Sequence, residues 1–116
     1  MDSIIKNIDS KTIVSLKDVI SFREHEVVSR TLIQNDHVSM TLFSFDKGEE
    51  ISTHASEGDA LVLILEGSAE ITIDNEKYKL QAEDSIVMPA TLPHALFAKE
   101  SFKMLLIVVF KEKGEI

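Results

Sequence analysis

Short apolar runs, alternating or continuous and parted by polar turns, set the pattern of this chain. Residues 26–34 (EVVSRTLIQ) are rich in β-branched side chains, which suit a pleated extended backbone, and Asn35-Asp36 then supplies a turn signal. Residues 38–46 (VSMTLFSFD) alternate, with Val38, Met40 and Leu42 on one face and Ser39 and Thr41 on the other. Phe43 and Phe45 blur that alternation and predict cover on both faces there. Lys47-Gly48-Glu49-Glu50 predicts a turn. Residues 60–66 (ALVLILE) form a continuous apolar run, whose length and Val/Ile content predict a strand covered on both faces rather than a helix. Glu66-Gly67 predicts the turn that ends it. Residues 68–73 alternate again, with Ala69, Ile71 and Ile73 inward, and 74–76 (DNE) predict a hairpin loop. Tyr78 and Leu80 then point inward between exposed Lys77 and Lys79, making Tyr78 a core aromatic with a wet hydroxyl. Residues 85–88 predict a short strand stopped by Pro89, Pro93 forces Leu92 into an extended conformation, and 94–98 and 102–110 complete the set. Within the first twenty-odd residues, Ser15 followed by LKDVI offers a capping residue and one apolar turn of helix.

Strands at this spacing in 116 residues predict an all-β domain, a sandwich or a barrel. An immunoglobulin-like sandwich is the structural rival, but the chain has no Trp and no Cys, the usual markers of that core. The length suits a single domain over 1–116, with 1–25 as an N-terminal extension and 31–110 as the barrel core. At 44% hydrophobic, the composition is that of a folded chain. The lack of cysteine excludes disulfides, thiolate metal sites and a cysteine nucleophile. A formal charge of −8 repels phosphate backbones, and the scattered Lys and Arg make no patch, so nucleic acid is not an expected partner. The apolar run 104–110 is far too short to span a bilayer, and the N-terminus lacks a basic start before a long apolar stretch. A cytoplasmic protein with no membrane partner is therefore expected.

The chemistry lies in two histidines. Gly48 precedes His54 by five intervening residues, twelve more separate His54 from Gly67, and Pro89-x3-Pro93-His94 follows the alternating strand and hairpin. With these residues the chain resembles the cupin superfamily, in its small single-domain conserved-barrel form. The first cupin motif has a glycine, five residues, His-x-His, and a glutamate seven residues before a second glycine. Gly48, His54 and Gly67 match it, and Pro89 and His94 match the proline and histidine of the second motif. The resemblance covers residues 31–110 and implies a double-stranded β-helix, a jelly-roll-like barrel of two antiparallel sheets. It also implies a site for one divalent transition metal (Zn, Ni, Mn, Fe or Cu) held by three histidines and the glutamate. Here Ser56 stands at the second histidine, Ala60 at the glutamate, and Thr91 and Glu83 at the two glycines of the second motif. Only the His54 and His94 positions remain as metal ligands. Two neutral imidazoles fall short of the three or four donors Zn takes, or the two His and a carboxylate of non-haem Fe, so the expectation is one such metal or none.

A third donor would have to come from Glu57, Asp59, His25 or His37, although strand parity points Asp59 away from the face of Ala60. Glu49, Glu50, Glu57 and Asp59 otherwise read as a solvated acidic rim. Met40, Met88 and Met104 read as core filler. The run 104–109 has no polar face, so it is either doubly buried within the domain or capped by a partner subunit. The second alternative fits a homodimer. Three functions remain open. The first is a pocket of His54, His94, Ser56, Ala60 and Thr91 that binds a small organic ligand, with a protonated histidine pair favouring a carboxylic acid. The second is an enzyme of isomerase, decarboxylase or dioxygenase type, using a metal or the two histidines as acid and base. The third is a regulatory domain acting through contact with another protein.

Overall fold

The computed structural model describes residues 4–111. Eight strands follow one short helix: α1 (Leu16–Val19), β1 (Val27–Gln34), β2 (Val38–Phe45), β3 (Glu50–His54), β4 (Asp59–Ile73), β5 (Glu76–Gln81), β6 (Ser85–Met88), β7 (His94–Phe97) and β8 (Phe102–Val109). All pairings are antiparallel, in the order β1-β2-β8-β4-β7-β3, with β5 and β6 also pairing with β4. The all-β domain of antiparallel strands expected from the sequence is what forms.

One strand ties the two sheets together. The first half of β4 pairs with β8 and β6, and its second half pairs with β5 and β7. The expected turn at Glu66-Gly67 is therefore absent. The strand runs on through Gly67, which takes a left-handed φ of 78° beside an irregularity between Ile64 and Glu66. A Cβ at Gly67 would run into the Ser101 carbonyl oxygen, so the glycine serves a close backbone approach at a sheet corner rather than a chain reversal. The hairpin does form where expected: Asp74 and Asn75 both have positive φ, 47° and 71°, between the paired Ile73 and Glu76. That is the twist a two-residue hairpin requires.

The sequence pattern missed β3. Its segment EISTH has one apolar residue in five and is exposed along most of its length, because it is an edge strand pairing only with β7. The helix is a single turn, and Ser15 makes no side-chain cap.

Two apolar clusters form. The inner one lies between the sheets and includes Phe45, Val62, Ile64, Ile71, Phe102 and Met104. The outer one gathers Ile20, Leu32, Leu42 and Leu105, with Ile8, Leu16 and Val19 of the N-terminal extension packed against it. Phe43 and Phe45 face the inner cluster and Leu42 the outer, so β2 is covered on both faces. The extension is thus a lid on the outer sheet. It is held by polar clamps: buried Lys103 donates from Nζ to the Lys17 carbonyl at 2.6 Å, Arg30 donates to the Val19 carbonyl at 2.7 Å, and the Ser44 hydroxyl donates to the Ser21 carbonyl at 2.9 Å. Lys103 also lies 4.9 Å from the Phe22 ring centroid and 3.7 Å from Glu66. In the 104–109 run Met104, Leu105 and Val108 are buried, Leu106 and Ile107 are half-buried, and only its end, Val109, is exposed. The outward side of 60–66 is less covered than expected, since Leu61 is exposed. Tyr78 is also no core residue. It is 38% exposed, and its hydroxyl donates to Glu76 at 3.0 Å, which raises its pKa.

Candidate functional site

β3 and β7 bring the two histidines face to face. His54 ends β3, His94 opens β7, and the two are directly paired across the antiparallel register. Their Nε2 atoms lie 3.1 Å apart, with ring centroids 4.3 Å apart and planes at 72°. Each ring is anchored from behind: Nδ1 of His54 lies 2.9 Å from the Ser52 carbonyl oxygen, and Nδ1 of His94 lies 3.2 Å from that of Leu92. A carbonyl oxygen can only accept, so it holds a ring that carries its proton on Nδ1, whereas a hydrogen bond between the two Nε2 atoms needs one ring to carry its proton there instead. His54 is exposed at the mouth, whereas His94 is buried, 3% exposed. Burial, and then the neighbouring His54, push the His94 pKa down, against a smaller upward pull from the Leu92 carbonyl.

The pair opens onto a cavity of about 290 Å³ between the sheets. Ser56 and Ala60 line it. The rest of the wall is Phe43, Ile51, Ala55, Met88, Leu96, Met104, Leu106 and Val108, so two of the three methionines read as filler face this space. The sequence reading put them in the core; the space beside them it did not show. Thr91 is not among the lining residues. It sits outside, exposed, and its N–H donates to the Ser56 carbonyl at 2.8 Å, tying the loop after β3 to the loop before β7. Its φ of 70° and the 78° of Glu83 lie in the left-handed region that favours glycine. Gly58 was overlooked. A Cβ there would strike the Val109 carbonyl oxygen, so its lack of a side chain lets the mouth loop lie against β8.

The other polar candidates lie elsewhere. Asp59 faces outward and accepts the Ala90 N–H at 2.8 Å. Glu57 lines a separate, more open groove with Gly58, Val109 and Lys111. His25 is exposed beside Glu24, and exposed His37 donates its backbone N–H to Asn35 at the β1–β2 turn. Among the described residues, no group of three His, Cys, Asp or Glu is placed to hold a metal.

Comparison with known proteins agrees with this geometry. The cupin domain of the conserved-barrel type (Cupin_2) matches residues 41–110. The chain belongs to the cupin superfamily. The crystal structure of a conserved protein of unknown function from Streptococcus pyogenes is 48% identical, with a TM-score of 0.93, over 96% of this chain and 97% of that one. A cupin superfamily protein from Desulfitobacterium hafniense is 40% identical, with a TM-score of 0.89, over 94% of this chain and 100% of that one. A cupin 2 conserved barrel domain protein from Leptotrichia buccalis is 38% identical over 80% of this chain but 45% of that one, with a TM-score of 0.79. None of the curated proteins matches.

The cupin metal pattern meets this site only in part. Nitrogens 3.1 Å apart have the spacing of two neighbouring ligands bound at roughly 2.1 Å to one ion. The remaining positions hold Ser56 and Ala60, one a weak donor and the other none. The residues present therefore do not make the three-histidine, one-glutamate centre.

Proposed function

We propose that this cupin binds a small organic ligand in the inter-sheet cavity, with the ligand's polar head at His54 and His94 and its apolar body against Met88, Leu96, Met104 and Leu106. The carrying observation is the convergence of two Nε2 atoms on one point of an otherwise apolar wall. Specific ligand sites take this form: an apolar hollow with a few placed polar groups. A volume of about 290 Å³ lies at the small end for such sites, about 300–1,000 Å³, and favours a compact ligand. Catalysis through a metal would need a further donor that His25, His37, Glu57 and Asp59, as placed, do not bring to the pair.

A thermal-shift screen of small acids, alcohols and amides, run on wild type, His54→Ala and His94→Ala, tests the reading. Stabilisation of the wild type that disappears in both folded variants is expected. Equal stabilisation of all three proteins would move the ligand away from this site. Elemental analysis of the same samples addresses the enzyme alternative. A near-stoichiometric transition metal lost in His54→Ala would favour it.

A further inference from the structure

We infer that a second copy of this chain docks on the outer face of the sheet formed by β1, β2, β8, β6 and the first half of β4, over a band made of Ile33, Met40, Ile107, Leu61 and Val87. This contact is independent of the ligand-binding function proposed above. The strand register makes the band. Ile33 is paired with Met40, Met40 with Ile107, Ile107 with Leu61, and Leu61 with Val87. Directly paired residues share a face of a sheet, so one apolar side chain from each strand joins an unbroken row across the whole sheet. Val38 and Val109, paired with each other two residues along β2 and β8, widen it. The chain neighbours Ala60, Met88 and Val108 line the cavity. Successive side chains point to opposite faces, so the band is the reverse side of the cavity wall.

An antiparallel sheet that faces water ordinarily shows polar residues on that side. Here the N-terminal extension covers only the neighbouring row, where Leu42 and Leu105 are buried with Ile20 and Leu32. Along the band the cover falls away toward β6. Ile33, Met40 and Ile107 are half-buried, whereas Leu61 is 37% exposed, Val87 51% and Val109 56%. Charge selects what covers them. The chain carries a net charge of −8, so most of its surface repels another copy. None of the band residues is charged, nor are Val38 and Val109, and Asp59, opposite Val109, already accepts the Ala90 N–H. A two-fold contact sets a patch against itself, which is unfavourable for an acidic patch and favourable for this one. With the axis at Ile107, the middle of the band, the Val87 end of one copy lies over the Ile33 end of the other. Stacked sheets approach to about 10 Å, close enough for two such rows to interdigitate.

Sedimentation velocity on the full chain tests this, with Leu61→Lys and Val87→Lys in the band and Tyr78→Lys on the other sheet as a control. All three positions are exposed, so the fold should survive each change, which circular dichroism checks. Wild type and Tyr78→Lys should sediment at twice the chain mass at micromolar concentration. Each band variant brings two like charges into the contact, one from each copy, and should weaken the dimer at least about a hundredfold. The melting temperature of the wild type should also rise with protein concentration, as that of a dimer does, and that of Leu61→Lys should not. A wild type that is monomeric with a concentration-independent melting temperature would overturn the inference. So would a dimer that both folded band variants leave intact, or one that Tyr78→Lys disrupts as strongly as Leu61→Lys. The ligand-binding function would stand in each of these cases.

Discussion

The two ends of the barrel interior are built from the same strands and used differently. At one end Phe45 and Phe102, paired across β2 and β8, stack at 4.4 Å with planes 12° apart, and both are fully buried. At the other end the same two strands and their neighbours offer Phe43, Met104 and Val108, with Ala60 from β4 and Met88 from β6, and the space between them stays hollow. Aromatic stacking fills volume and fixes geometry, whereas alanine and methionine leave room and adapt. One end therefore supplies the stability that lets the other end remain empty, with two histidines held rigidly at its mouth.

That contrast can be broken from either side. The largest effect is expected from Phe102→Ala, which opens a void where none exists and should cost about 3–5 kcal/mol in urea unfolding. A cost under about 1 kcal/mol would mean that the stacked end is not the structural one. Ala60→Leu makes the opposite change at the hollow end. Extra bulk in a packed core costs about 1–3 kcal/mol, but here the side chain has the cavity to enter, so stability should change by less than about 1 kcal/mol while ligand binding is lost. Retained binding would place the ligand elsewhere.

The third test uses pH. The His94 pKa is depressed in the folded protein, so the unfolded chain binds this proton more readily. Its stabilising contribution is present above the ordinary histidine pKa of about 6.5 and is lost as pH falls below it toward the lowered folded value. The melting temperature without ligand should therefore drop between pH 7 and 5.5, and less so in His94→Gln. An equal drop in both would assign the acid sensitivity to other groups. The smallest effect is at the rim. Thr91→Gly relieves a left-handed β-branched residue, a conformation that costs about 1–3 kcal/mol, but it adds freedom to the unfolded chain. A net change from zero to about 1 kcal/mol of stabilisation is expected in urea unfolding, with ligand affinity unchanged. A marked loss of affinity would give the Thr91 side chain a role that its outward position does not suggest.

Much of this organisation is legible in the sequence, for identifiable reasons. Alternation in residues 38–46 and 68–73 follows from strands with one face on the core, and the spacing of Gly48, His54, Gly67, Pro89 and His94 matches the cupin pattern. What stayed hidden depends on partners rather than on local pattern. Glu50–His54 has no apolar rhythm because an edge strand at a pocket mouth needs none. A glycine that turns a chain and one that lets a strand cross beneath Ser101 look the same in one dimension. The packing of residues 8–22 over the outer sheet depends in part on Lys103, whose partner, the Lys17 carbonyl, is distant in sequence. The two histidines could be named as a pair, but the placing of both Nδ1 atoms against backbone carbonyls is a property of the folded loops alone.

The single long strand β4 has a consequence for how the domain comes apart. Its fifteen residues are hydrogen-bonded to four other strands and belong to both sheets. Neither sheet can open fully while the other stays whole, because each would have to release the same backbone. Such a shared element makes the two halves one cooperative unit instead of two that melt in turn. The hollow end, which has little packing of its own, thereby draws its rigidity from the full unfolding free energy of the domain.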